Sequence, residues 1–204
     1  MKKLSKELYD TIKWGKSDNH LKKVQSLIHD GADVNYKTSK KAWSMLHWCV
    51  YDNIPNILEC LASNEAMINE NNNKYNYAPI HLLPKRAKNT RCVEILVKHG
   101  ANINIEDKEG LTALQHLLHP NTGKNDQSEK YMLQAEYLIK NGAITNPTNG
   151  TYHPIIGAVG IEAEVLVRMI LNNIPPKDIF IEAQQYAIDL GLLNISELFN
   201  LEKQ

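Results

Sequence analysis

The sequence predicts an all-α fold: a solenoid of stacked helix-turn-helix units with short hairpin loops. Three observations predict it. An apolar triplet at i, i+3, i+4 returns five times, as Val24-Leu27-Ile28, Leu58-Leu61-Ala62, Val93-Leu96-Val97, Ala135-Leu138-Ile139 and Leu166-Met169-Ile170. That spacing puts the three side chains on one helix face. A turn follows three residues after each triplet, at Gly31-Ala32, Glu65-Ala66, Gly100-Ala101, Gly142-Ala143 and Asn173-Ile174. The steps between triplets are 34, 35, 42 and 31 residues, and a period near 33 marks helical pairs stacked in an array.

The first element is a capping helix. Leu4, Leu8 and Ile12 recur at helical spacing among Lys2, Lys3, Lys6 and Lys13, and a polar outer face keeps the end of an array soluble. Each triplet then marks the second helix of a unit. The glycines at 31, 100 and 142 end it, because a left-handed residue closes a helix without steric cost when it lacks Cβ. Glu65 holds this place in the second unit, where it either accepts a positive φ or forces a different ending. Asn173 is a fair substitute in the fifth.

A second phrase opens the first helix of each later unit. Ser44-Met45-Leu46-His47, Ala78-Pro79-Ile80-His81, Thr112-Ala113-Leu114-Gln115 and His153-Pro154-Ile155-Ile156 stand in register. Proline is tolerated in the first turn, where its missing N–H would be unpaired anyway. Pro84 should shorten the helix that it follows. Pro120, Asn121 and Gly123 mark 119–128 as a loop inside one unit, the source of the 42-residue step. Pro175-Pro176 break and restart the chain. Ile179, Ala183, Tyr186, Ala187 and Leu190 then line one face, Gly191 ends that helix, and Leu193, Ser196, Leu198 and Phe199 suggest a last short one.

These two phrases in register resemble the ankyrin repeat, with its T-P-L-H-x-A signature, β-turn and two helices. The stretch from Ala78-Pro79-Ile80-His81 to Gly100-Ala101-Asn102-Ile103-Asn104 is close to it, and Gly31-Ala32-Asp33-Val34-Asn35 closes the first unit in the family's manner. The likeness is strongest between 21 and 116. It implies one domain over 1–204: a capping unit about 1–37, internal units about 38–72, 73–106, 107–147 and 148–175, and closing helices about 176–201. It also implies a structural role near the hairpin for His47 and His81.

Composition narrows the function. The chain has 204 residues, 43% of them hydrophobic, so it can bury a core. Its 23 basic and 23 acidic residues give a formal charge of zero, which argues against a dedicated nucleic-acid binder. Residues 1–50 carry 10 lysines against 5 acids, a mild basic-to-acidic gradient. Cys49, Cys60 and Cys92 fall in helical patterns without CxxC spacing and read as small buried thiols of a reducing compartment. No secretory leader and no run long enough to span a membrane is read. A cytoplasmic protein, or one delivered to a host cytosol, is expected.

Catalytic and cofactor motifs are weak. Gly15-Lys16-Ser17 lacks the first glycine of a phosphate loop, since position 10 is Asp10. Gly157-Ala158-Val159-Gly160 has no strand before it. His116, His119 and His153 have no cysteine or carboxylate pattern around them for zinc. Neither metal, cofactor nor catalytic residue is expected.

What remains is a surface. The resemblance implies that hairpin tips and the outward side of the first helices form a concave binding face. By register that face takes Tyr36, Lys40, Lys41, Trp43, Tyr51 and Asp52, then Lys74, Tyr75, Tyr77, Lys85 and Arg86, then Glu106, Lys108, Glu109, Leu111 and His119. Trp43, Tyr51, Tyr75 and Tyr77 are the sharpest cluster, because interface cores are enriched in such side chains. Trp48 should be partly buried between helices. The expected function is non-enzymatic binding of another protein by a monomeric chain. Two settings fit: an effector of a host-associated bacterium, or an immunity or inhibitor protein that neutralises a cognate toxin or enzyme. A small enzyme on a repeat scaffold is the remaining alternative.

Overall fold

The computed structural model describes all residues except 16, 40–41, 73, 84–88, 120–127, 148–151, 174 and 202–204, and leaves aside the side chains of 128–130 and 201. Among the described residues there are eleven α-helices and two 3-10 helices, with no strand. The fold is all-α, as expected. None of these helices is long and apolar enough to cross a membrane. The chain divides into two units, Met1–Glu109 and Gly110–Gln204.

The first unit runs α1 (Lys2–Gly15), a 3-10 helix at Asp18–His20, α2 (Leu21–His29), α3 (Met45–Tyr51), α4 (Pro55–Ala62), a 3-10 helix at Pro79–Leu82 and α5 (Arg91–Lys98). On α1 the buried stripe is Ser5, Leu8, Tyr9 and Ile12. It lets α1 pack on both α2 and α3, while α3 packs on α4 and on the Pro79–Leu82 turn. The second helices meet as α2 on α4 and α4 on α5. First helices thus form one row and second helices another. Val24, Met45, Leu58, Leu61, Ile80, Val93 and Leu96 fill the space between, each 1% exposed or less. Burial of such a side chain stabilises by roughly 1.5–3 kcal/mol. Pro84 lies outside the described residues; the first helix before it is the short 3-10 turn.

The helix ends follow the turn reading. Gly31, Gly100 and Gly142 have φ of +89°, +84° and +93°. After each, an alanine N–H reaches back five residues: Ala32 to Leu27 O, Ala101 to Leu96 O and Ala143 to Leu138 O, all at 2.9 Å. Glu65 makes the same turn at φ +65°, and Ala66 N–H donates to Leu61 O at 3.2 Å. Of the two endings open to it, it takes the strained one, which costs about 1–2 kcal/mol. Asn173 differs. It is not among the residues of positive φ, and its side chain donates to Thr145 Oγ1 at 3.3 Å.

The second unit runs α6 (Ala113–Leu117), α7 (Ser128–Lys140), α8 (Pro154–Gly160), α9 (Glu164–Leu171), α10 (Lys177–Asp189) and α11 (Leu193–Leu201). The same pairing recurs: α6 on α7, α8 on α9, α10 on α11, with α8 on α10 and α9 between α7 and α11. Gly157 is required for a close approach. A Cβ there would stand 1.7 Å from the carbonyl oxygen of Leu118 and 2.3 Å from the Tyr152 hydroxyl.

Two expectations fail here. The buried face of α10 is Phe180, Ala183 and Ala187, while Tyr186 and Leu190 are exposed. Phe180 meets Phe199 of α11 edge-on at 5.1 Å, and this contact sets the rotation of the helix. Leu193 is 69% exposed; Ile195, Leu198 and Phe199 are the core of α11. The 120–127 part of the inserted loop lies outside the described residues.

Candidate partner-binding surface

The surface is built on a polar clasp that repeats with the phrase. At three of the four phrases the side chain three residues after the N-cap turns back to it and also reaches the next hairpin. His47 Nδ1 accepts from Ser44 N–H at 3.1 Å, and Nε2 meets Tyr77 O at 2.7 Å. His81 Nδ1 accepts from Ala78 N–H at 2.9 Å, and Nε2 meets Ile105 O at 2.9 Å. Gln115 does the same with an amide: Oε1 accepts from Thr112 N–H at 2.9 Å and Nε2 donates to Tyr152 O at 2.8 Å. The fourth phrase has Ile156 in this place, and there the N-cap His153 accepts from Ile155 N–H at 3.3 Å. Both His47 and His81 therefore serve the frame near the hairpin. Burial pushes the His47 imidazole down to about 4, assisted by Lys37 and His81 and opposed by the Tyr77 carbonyl. It is neutral at pH 7, donating from Nε2.

Asparagines bridge hairpins in a second ladder. Asn35 Nδ2 donates to Glu65 O at 3.2 Å while its Oδ1 accepts from Met67 N–H at 2.9 Å. Asn69 bonds Gly100 O at 3.0 Å and Asn102 N–H at 2.8 Å in the same way. Lys37 and Glu70 pair between adjacent hairpins, both largely buried. Turns without regular ladders are thus fixed by side chains that satisfy their main-chain groups.

On this frame lie the aromatic residues. Trp43 is half-buried, its ring 4.6 Å from Trp48, 5.2 Å from Tyr51 and 6.2 Å from His47, which it stacks on. Tyr77 lies 5.7 Å from His81 and 5.5 Å from Tyr75, and Lys74 Nζ stands 4.5 Å over the Tyr75 ring. The two groups are joined through His47, which touches Trp43 by its ring and Tyr77 by its carbonyl. Tyr75 is 45% exposed; Trp43, Tyr51 and Tyr77 are half-buried. Burial, then Asp107 and Glu109, raise the Tyr77 phenol.

The other expected residues fall as follows. Tyr36 is half-buried, edge-on to Tyr9 at 6.2 Å. Asp52 caps the C-terminus of α3. Glu106, Lys108 and Glu109 are exposed on the third hairpin, where Lys108 N–H donates to Tyr75 O at 3.0 Å. Lys40, Lys41, Lys85 and Arg86 lie outside the described residues. Leu111 is only 6% exposed and is a core side chain of the second unit. His119, also in that unit, lies half-buried 5.3 Å from the Tyr152 ring. Cys49 and Cys92 are buried, and Cys60 is half-buried. Among the described residues no His, Cys, Asp and Glu cluster is placed to hold a metal ion.

Sequence reasoning missed the contribution of α1. Tyr9 is 1% exposed; it donates to Trp43 O at 3.2 Å and accepts from Trp48 Nε1 at 3.1 Å. Trp14 is 67% exposed, and Lys13 Nζ lies 4.6 Å over its ring.

Comparison with known proteins agrees with this architecture. The family model for ankyrin repeats (three copies) matches residues 14–107. Ankyrin repeat and SOCS box protein 6 of Mus musculus is 31% identical over 97 residues, 48% of this chain and 23% of the mouse protein. The protein of that name in Homo sapiens is 30% identical over 117 residues, 56% of this chain and 28% of its own length. An ankyrin repeat protein of Fowlpox virus (strain NVSL) is 32% identical over 97 residues, 47% of this chain and 28% of the viral protein. The chain spans about a quarter of the length of these relatives. Ankyrin repeats are protein-interaction modules and a non-catalytic scaffold. Register, turn chemistry and family match converge on one stretch of the chain: residues 14–107 match three ankyrin repeats.

Proposed function

We propose that the chain binds a protein partner, without catalysis, on the aromatic surface of the Met1–Glu109 unit. The observation that carries this reading is two groups of contacting rings, Trp48, Tyr51, Trp43 and His47 in one and Tyr77 and Tyr75 in the other, joined where His47 Nε2 meets the Tyr77 carbonyl. Aromatic side chains give large contact area for little conformational entropy, so they dominate binding energy at interface centres. Tyr36, Asp52, Lys74, Glu106, Lys108 and Glu109 form the charged and polar rim, which orients a partner more than it holds it. Leu111 is left out because it is buried, and His119 because it belongs to the other unit.

The matched relatives come from animals and from a poxvirus, which supports a module that works on proteins of a eukaryotic cell. On that reading the chain acts as an effector that captures a host protein in the host cytosol. Capture of a cognate toxin or enzyme instead would make it an inhibitor.

Affinity capture with wild type and with the triple variant Trp43→Ala, Tyr51→Ala, Tyr77→Ala tests the surface. A true partner should lose several kcal/mol, as at binding hot spots. Tyr75→Ala is the companion variant, since its exposed ring carries little of the core. A partner retained at full affinity by folded forms of both variants rules the surface out.

A further inference from the structure

We propose that Lys13 and Trp14, at the end of α1, form a two-part anchor for an acidic peptide segment of the partner: Lys13 takes a carboxylate, and Trp14 takes the apolar group beside it. This rests on the partner-binding reading and extends it to residues that the reading does not use.

Lys13 Nζ stands over three rings, 4.6 Å from the centroid of Trp14, 5.4 Å from that of Trp48 and 6.0 Å from that of Tyr9. The side chain is half-buried. An ammonium against aromatic faces has given up water on those sides and is attracted to the rings. Yet Lys13 has no ion-pair partner among the described residues. The carboxylates nearest in sequence are engaged: Asp10 with Lys6 at 2.9 Å, Asp18 with Asn56 Nδ2 at 2.9 Å and Ile57 N–H at 3.1 Å, and Glu7 with Lys23 at 3.0 Å. The charge also sits in the last turn of α1, where the helix dipole favours a cation. It is a fixed, partly desolvated positive charge with its open side unclaimed.

The walls of this place are preset. Tyr9 is buried and tied to Trp48 and to Trp43 O by hydrogen bonds of 3.1 and 3.2 Å. Trp14 alone is open, at 67% exposure. A partner's lysine or arginine would find the ring faces taken by a like charge, an arrangement that rejects cations. An acidic side chain meets the opposite case: it pairs with the ammonium, while its apolar neighbour covers the Trp14 indole. A nucleic-acid backbone suits the surface less well. Its phosphates, continuing along the aromatic run, would meet Asp107 and Glu109, whose charges already act on Tyr77. A short acidic-apolar stretch of protein ends before them.

Random dodecapeptides displayed on phage, selected on the full chain, provide the test. Enriched peptides should carry net negative charge, with an aromatic or large aliphatic residue next to Asp or Glu. Their affinity should fall about tenfold or more with Lys13→Glu and with Trp14→Ala, fall less with Lys13→Gln, and weaken as salt rises. Lys22→Glu, an exposed charge on α2, should leave it unchanged. Circular dichroism keeps each variant's fold in view. No enrichment, net neutral or basic peptides, or affinity indifferent to Lys13 would overturn the anchor. So would a uridine oligonucleotide that binds through Lys13 more tightly than any peptide. Peptides that depend on Trp43, Tyr51 and Tyr77 but not on Lys13 or Trp14 sink this proposal and leave the surface standing. Peptides indifferent to both sets sink both.

Discussion

Replacing His47 by glutamine should reduce the acid sensitivity of the first unit while keeping its fold. The imidazole is 1% exposed and titrates near 4 instead of the ordinary 6.5. Between those values the unfolded chain binds a proton that the folded chain refuses, so stability falls as pH drops from about 6.5 toward about 4. Each pH unit of that gap is about 1.4 kcal/mol, so the full interval corresponds to roughly 3 kcal/mol. Glutamine has the right parts for the exchange, because Gln115 already accepts from an N-cap N–H and donates to the next hairpin at 2.9 and 2.8 Å. All three tryptophans, Trp14, Trp43 and Trp48, lie in Met1–Glu109, so their fluorescence in a urea titration reports this unit alone. Wild type should lose about 2–3 kcal/mol between pH 7 and pH 4.5 beyond what His47→Gln loses. His47→Ala is the contrast: it strands the Ser44 N–H and the Tyr77 carbonyl, at a cost of about 2–4 kcal/mol at every pH. Equal pH slopes in wild type and the glutamine variant would refute the argument.

Further outcomes concern the backbone. Glu65→Gly should stabilise the first unit by about 0.5–1 kcal/mol, because glycine relieves the positive φ at some entropic cost; a lower urea midpoint would mean that the Glu65 side chain does more than strain the turn. Gly157→Ala should destabilise the second unit by at least about 2–3 kcal/mol, since the new methyl meets the backbone oxygen of Leu118. Amide hydrogen exchange across Pro154–Gly160 checks it, and unchanged protection would show that α8 can move aside.

The frame was legible because its signals are local. Triplets and turn glycines act within one helix and its cap, so their spacing survives in a bare sequence. Each triplet buries at least two of its three side chains. The phrase ending in His47, His81 or Gln115 was legible for the same reason. Misses came where tertiary contact chooses among equal candidates. On α10 several apolar residues could have faced inward, and the Phe180–Phe199 contact decided. On α1 the spacing Leu4, Leu8, Ile12 reads as helical, but Ser5, Leu8, Tyr9, Ile12 fits i, i+3, i+4, i+7 and is the signal for Tyr9. Lys13 offered no such signal, since its meeting with Trp48 spans more than thirty residues of chain. Leu111 was assigned outward by register alone, and register does not report depth.

The histidine and glutamine clasps grip main-chain carbonyl oxygens, and a carbonyl is the same whatever side chain it carries. Hairpin tips can therefore exchange their outward residues without loosening the joint beneath. In such an architecture, recognition is free to drift while the scaffold's alignment stays fixed.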